Sequence, residues 1–73
     1  MLRKQIQSSI ITSVGYETIK SLLEVEFTSG EVFQYFNVPL ETYSGLIKAK
    51  SHGEFFNEFI KEQYEFRKLE KEM

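Results

Sequence analysis

From Lys20 to Thr28 apolar and polar positions alternate. Leu23, Val25 and Phe27 share one side of an extended chain, and Leu22, Glu24, Glu26 and Thr28 share the other. A period of two marks a strand with one buried face. Residues 31–38 read as its hairpin partner across Ser29-Gly30. A two-residue loop would set Phe33 and Tyr35 beside Glu26 and Glu24. A three-residue loop, Thr28-Ser29-Gly30, puts Gly30 in the left-handed bulge position that a residue without Cβ adopts freely. Val25 then opposes Phe33, Leu23 opposes Tyr35, and one face is uniformly apolar. A slip of one residue would turn that face to solvent, so the three-residue loop is predicted. The opposite face carries Leu22, Glu24, Glu26, Val32, Gln34 and Phe36, with its apolar spot at Leu22 and Phe36.

Residues 8–16 are rich in β-branched side chains and read as a further strand. Alternation puts Ile10, Thr12, Val14 and Tyr16 on one face and Ile11 and Ser13 on the other. Gly15 suggests a bulge or a close approach of backbone. Residues 1–7 are polar and read as a loose amino-terminal arm or the start of a strand. Beyond Phe36 the period becomes helical. Pro39 suits a first helical turn, and Leu40, Tyr43, Leu46, Ile47 and Lys50 follow as one face, with Lys50 at its edge. Gly45 costs that helix about 1 kcal/mol of propensity relative to Ala, which points to close packing there. Ser51-His52-Gly53-Glu54 has capping-box spacing. A second helix is predicted from Gly53 to about Glu70, with Phe55, Phe56, Phe59, Ile60 and Tyr64 as its stripe and residues 65–73 as a helical tail. The expected class is α+β: a three-stranded antiparallel meander followed by two helices packed on one face.

A chain of 73 residues makes one domain. At that size only about 60% of the unfolded surface is buried, so the core is marginal. No cysteine is present to supply a disulfide or thiolate ligand. Seven Phe and four Tyr compensate. Such a core can support a monomer, and a homodimer is the other expectation. There is no signal-peptide pattern and no apolar run long enough for a membrane span, so a cytoplasmic protein is expected. The net charge is −2, which argues against a general nucleic-acid binder but leaves room for a local basic patch.

The ordered set Ser9, Val14-Gly15-Tyr16, Leu23, Val25, Phe27, Gly30, Phe33, Tyr35, Val38-Pro39, Tyr43, Leu46, Ala49, Ser51, Gly53, Phe55 or Phe56, Asn57 and Ile60 resembles the KTSC domain family. That short module is named for its presence at the C-terminus of some lysyl-tRNA synthetases, and it also stands alone in small bacterial proteins. The resemblance spans residues 8–64. The family's central Tyr-x-Tyr reads Phe33-Gln34-Tyr35 here, one hydroxyl short. The resemblance implies no established activity; its synthetase setting suggests RNA.

Lys48, Lys50, Ser51 and His52 gather where the two predicted helices meet, with Asn57 one turn on. Free N–H groups at a helix start favour anions such as phosphate. The plainer reading is an ordinary cap with solvated lysines. Phe33 and Tyr35 have the character of a base-stacking platform, although the hairpin register favours them as core. Leu22, Val32 and Phe36, or the helical tail, are the alternative surface, for a protein partner or a second copy. His52 is the single histidine. With Glu54, Glu58 and Glu62 it suggests a base or a metal ligand only weakly, and neither metal, cofactor nor catalysis is expected. The sequence thus points to a small non-enzymatic binding module, with RNA as the leading ligand and a protein–protein adaptor or homodimer as the alternative.

Overall fold

The computed structural model describes residues 2–69. Five strands and two helices follow one another: β1 (Arg3–Gln5), β2 (Ile11–Glu17), β3 (Leu22–Phe27), β4 (Val32–Tyr35), α1 (Leu40–Lys48), α2 (His52–Phe59) and β5 (Phe66–Lys68). The strands form one antiparallel sheet in the order β1-β2-β3-β4-β5. The β3–β4 hairpin has the predicted register, Leu23 against Tyr35 and Val25 against Phe33. Gly30 takes a φ of 94°, and its N–H donates to the Phe27 carbonyl at 2.9 Å. Only a residue without Cβ adopts that backbone at little cost.

The α+β class stands, but the sheet has five strands where three were predicted. Of the two readings of residues 1–7 the strand holds and the loose arm does not: Arg3–Gln5 pairs with β2. Its residues are polar and mostly exposed, so side-chain alternation does not signal the pairing. The second helix ends at Phe59, well short of Glu70. There the Phe56 carbonyl accepts N–H groups from both Ile60 and Lys61, and Ile60 leaves helical geometry at φ −123° while fully buried. No glycine or proline announces that stop. The chain then turns, and Phe66–Lys68 joins the free edge of β4, flanked by bonds from Phe36 N–H to the Glu65 carbonyl and from Leu69 N–H to the Val32 carbonyl. The predicted helical tail is therefore a strand over 66–68; its last residues, 70–73, lie outside the described residues.

The bulge falls at Thr12 rather than Gly15, because the β2–β3 register shifts between Ile11 and Ser13. The extra residue changes the phase of the alternation, so Ile11, not Thr12, is fully buried beside Val14. Both helices lie on one face of the sheet, as predicted. Leu46 of α1, Phe56 of α2, Val38 and Ile60 complete a core with Ile11, Val14, Leu23, Val25 and Tyr35. The helices meet closely at Gly45, where a Cβ would stand 2.7 Å from Phe55 Cζ. The sequence-level cost of that glycine is thus explained by packing.

The other face of the sheet is a polar ladder. Arg67 Nη2 donates to Gln34 Oε1, Gln34 Nε2 donates to Glu24 Oε1, and Arg3 Nη1 lies 3.5 Å from Glu24 Oε2. Gly15 sits between Arg3 and Glu24 in the register, with no side chain to hold them apart.

Candidate functional site

One cross-strand row on the helix-bearing face runs Tyr16, Leu23, Tyr35, Phe66. At the Tyr16 end the row is closed. The Tyr16 ring stacks on Tyr43 of α1 at 4.9 Å, and its hydroxyl donates to the Val38 carbonyl at 2.6 Å. At the other end, α2 stops at Phe59 and does not close the row. An apolar groove of about 560 Å³ remains between α2 and the β3, β4 and β5 strands. Phe27, Phe33, Tyr35, Phe56 and Phe66 line it, with Asn57 and Lys61 among its polar residues. The rings support one another edge to face and tilted: Phe27 to Phe33 and Phe56, Tyr35 to Phe56, and Phe66 to Phe33 and Tyr35. Phe66 remains 54% exposed, so the groove is open on the β5 side.

Tyr35 is the polar group set into this apolar lining. It is 3% exposed, yet its hydroxyl makes no hydrogen bond among the described residues and keeps contact with solvent. Burial pushes its pKa up to about 12, so at neutral pH the group is a neutral phenol that both donates and accepts.

A second concavity of about 370 Å³ adjoins the groove at Ile10 and Asn57, which line both. It gathers most of the predicted helix-junction residues: Lys50, Ser51, His52 and Asn57. Ser51 is the N-cap of α2, its Oγ accepting from Glu54 N–H at 3.2 Å. The His52 ring meets the Leu46 carbonyl through Nδ1 at 2.7 Å; a carbonyl only accepts, so Nδ1 carries the proton there and the ring ties the two helices together. Lys48 is exposed at the end of α1 and lines neither concavity. Tyr35 belongs to the aromatic groove rather than to the junction. The alternative surface of Leu22, Val32 and Phe36 is half-buried, and β5 hydrogen-bonds to the Val32 carbonyl. Among the described residues no three His, Cys, Asp or Glu side chains are grouped to hold a metal ion, and no helix is long and apolar enough to cross a membrane.

Sequence reasoning missed the other wall of the junction, formed by Ser8 and Ser9 before β2. Ser8 Oγ accepts from the N–H groups of Ile10 and Ile11 and so fixes that turn. A Cβ on Gly53 would stand 3.2 Å from the Ile10 side chain and 3.4 Å from Ser8 Oγ. A glycine in a first helical turn was the one available signal of this close approach. Phe66 was missed as a groove residue because it was assigned to a helix.

Comparison with known proteins is consistent along nearly the whole chain. The KTSC domain model matches residues 7–64. An uncharacterized protein of Stutzerimonas stutzeri is 42% identical over 64 residues, covering 88% of this chain and 90% of its own. A lysine–tRNA ligase of Nostoc punctiforme is 40% identical over 63 residues, which is 86% of this chain but 11% of the ligase. The crystal structure of a KTSC domain protein from Yersinia pestis superposes with a TM-score of 0.92 at 33% identity, covering 94% of this chain and 97% of that one.

Proposed function

Because the chain belongs to the KTSC domain family, among whose members are segments of lysine–tRNA ligases, we propose that it is a small non-enzymatic binding module for single-stranded RNA. The observation that carries this reading is the adjacency of the two concavities through Ile10 and Asn57. One offers the amino end of α2 with Lys50 beside it, a setting that favours phosphate. The other offers aromatic rings of the kind on which unstacked bases rest. The proposed setting is the cytosol, in keeping with a chain that lacks cysteine. The face bearing Leu22, Val32 and Phe36 supports a protein partner or a second copy less well, since the Arg67–Gln34–Glu24–Arg3 ladder occupies its middle.

Fluorescence anisotropy with labelled single-stranded RNA octamers tests the proposal. With two phosphates neutralised, affinity should fall about sevenfold when salt rises fourfold. Lys50→Ala and Lys61→Ala should each weaken binding and flatten that salt dependence. Affinity indifferent to salt and to both substitutions would remove RNA as the ligand.

A further inference from the structure

We infer that the aromatic groove receives one nucleobase of the bound strand, lying against Phe33 and Phe66 and hydrogen-bonded to the Tyr35 hydroxyl. This rests on the RNA reading above and adds the place where the strand is read.

The lining of the groove restricts what enters it. Its volume, about 560 Å³, lies within the range of small-molecule sites, roughly 300–1,000 Å³. Its walls are flat rings, which favour a flat occupant. Phe33 and Phe66 meet at a centroid distance of 5.6 Å with 44° between their planes, so they form an angled wall rather than a closed stack. The one phenol in this wall, Tyr35, is nearly buried and has no partner among the described residues. A hydrocarbon chain seated there would strip water from the hydroxyl and give nothing back. A heterocyclic base has both a face for the rings and in-plane nitrogen or oxygen atoms for the hydroxyl.

Charges of both signs surround the opening, with Glu54 beside Lys50 in the adjoining concavity, and the two lysines are the groups that a phosphate on the base would meet. Lys61 stands on the groove itself, and Lys50 lies across Asn57 in the adjoining concavity. Two acids share the rim. Glu31 is paired with Lys68 at 2.7 Å, which leaves Glu62 as the acid beside Lys61. The Asn57 amide, lining both concavities, is placed to meet either the base edge or the sugar that joins it to phosphate.

The test compares a uridine octamer with the same strand made abasic, against the native chain, Phe66→Ala and Tyr35→Phe. Phe66 is half exposed and Tyr35→Phe breaks no hydrogen bond, so both variants should fold; circular dichroism melting checks this. Removing the bases should weaken native binding roughly five- to hundredfold, the worth of a stacked base. Phe66→Ala should reproduce much of that loss on the normal strand and none on the abasic one. Tyr35→Phe should weaken binding of the uridine strand and leave the abasic strand unchanged. Equal, salt-sensitive affinity for normal and abasic strands would overturn the base site and leave the RNA reading intact. A parallel NMR titration follows the Tyr35 and Phe66 ring signals with uridine monophosphate and with N-acetylphenylalaninamide. Shifts with the nucleotide support the proposal. Shifts with the amide alone would overturn it in favour of a protein side chain. No RNA affinity together with no nucleotide shift would overturn both this site and the function proposed above.

Discussion

Tyr16 and Tyr35 stand in the same row of the sheet, separated only by Leu23, and they lead opposite lives. Tyr16 is held at both ends, by the Tyr43 ring and by the Val38 carbonyl. Tyr35 is more deeply buried, ringed by Phe33, Phe56 and Phe66, but its hydroxyl has no partner among the described residues. The difference lies in what covers each end. Val38 and α1 close the Tyr16 end, while α2, ending at Phe59, leaves the Tyr35 end open to the groove. Two tyrosines on one face thus divide into a structural clamp and a group available to a ligand. A phenol set this deep whose hydroxyl reaches solvent at the groove marks a place where a ligand can meet it.

The largest effect should come from breaking the row at its centre. Leu23 is fully buried between the two tyrosines, and Leu23→Ala should cost about 2–5 kcal/mol in urea denaturation. A loss below about 1 kcal/mol would mean that the two ends do not share one core.

Alkali should act next, and at the Tyr35 end. The Tyr35 pKa rises from 10.0 to about 12 on folding because burial disfavours the phenolate. The unfolded chain therefore ionises first. The contribution of the neutral phenol is fully present below pH 10 and is lost as pH rises towards 12, in all about 2–3 kcal/mol. Other groups also titrate in that window, so the measurement is a difference: stability should fall less steeply between pH 10 and 12 in Tyr35→Phe than in the native protein. Parallel slopes would show that the ring is not buried in solution.

The smallest effect sharpens the contrast. Tyr16→Phe removes a 2.6 Å hydrogen bond and leaves the Val38 carbonyl without that donor, which should cost about 1–2 kcal/mol at neutral pH. Tyr35→Phe under the same conditions should be close to neutral, because no bond is lost. Equal losses from the two substitutions would erase the distinction drawn between the two ends.

The predicted strands and register were legible for a local reason. Leu23, Val25, Phe33 and Tyr35 can share an apolar face only if the loop has three residues, and Gly30 supplies the backbone such a loop needs. The start of α2 was legible in the same way, since the Ser51 cap acts within four residues. Part of the candidate site followed: Lys50, Ser51, His52 and Asn57 are close in sequence and stay close in space. Lys48, three residues before Ser51, does not join them, because α1 runs to Lys48 and the chain turns only afterwards.

What the sequence by itself determined, then, is whatever side-chain alternation, turn chemistry and capping enforce over a few residues: the central hairpin, the helix starts and the inward direction of Tyr35. The tertiary structure alone decided the edges and the ends. β1 and β5 exist because the free edges of β2 and β4 carry backbone groups that pair with any extended segment within reach, and no side-chain pattern records that demand. The bulge at Thr12 exchanged Ile11 for Thr12 in the core because one extra residue reverses the face of all that precedes it. The early end of α2, with the groove it leaves, came from placing Ile60 in the core and Phe66 against β4, a choice between two burials that only the assembled sheet presents.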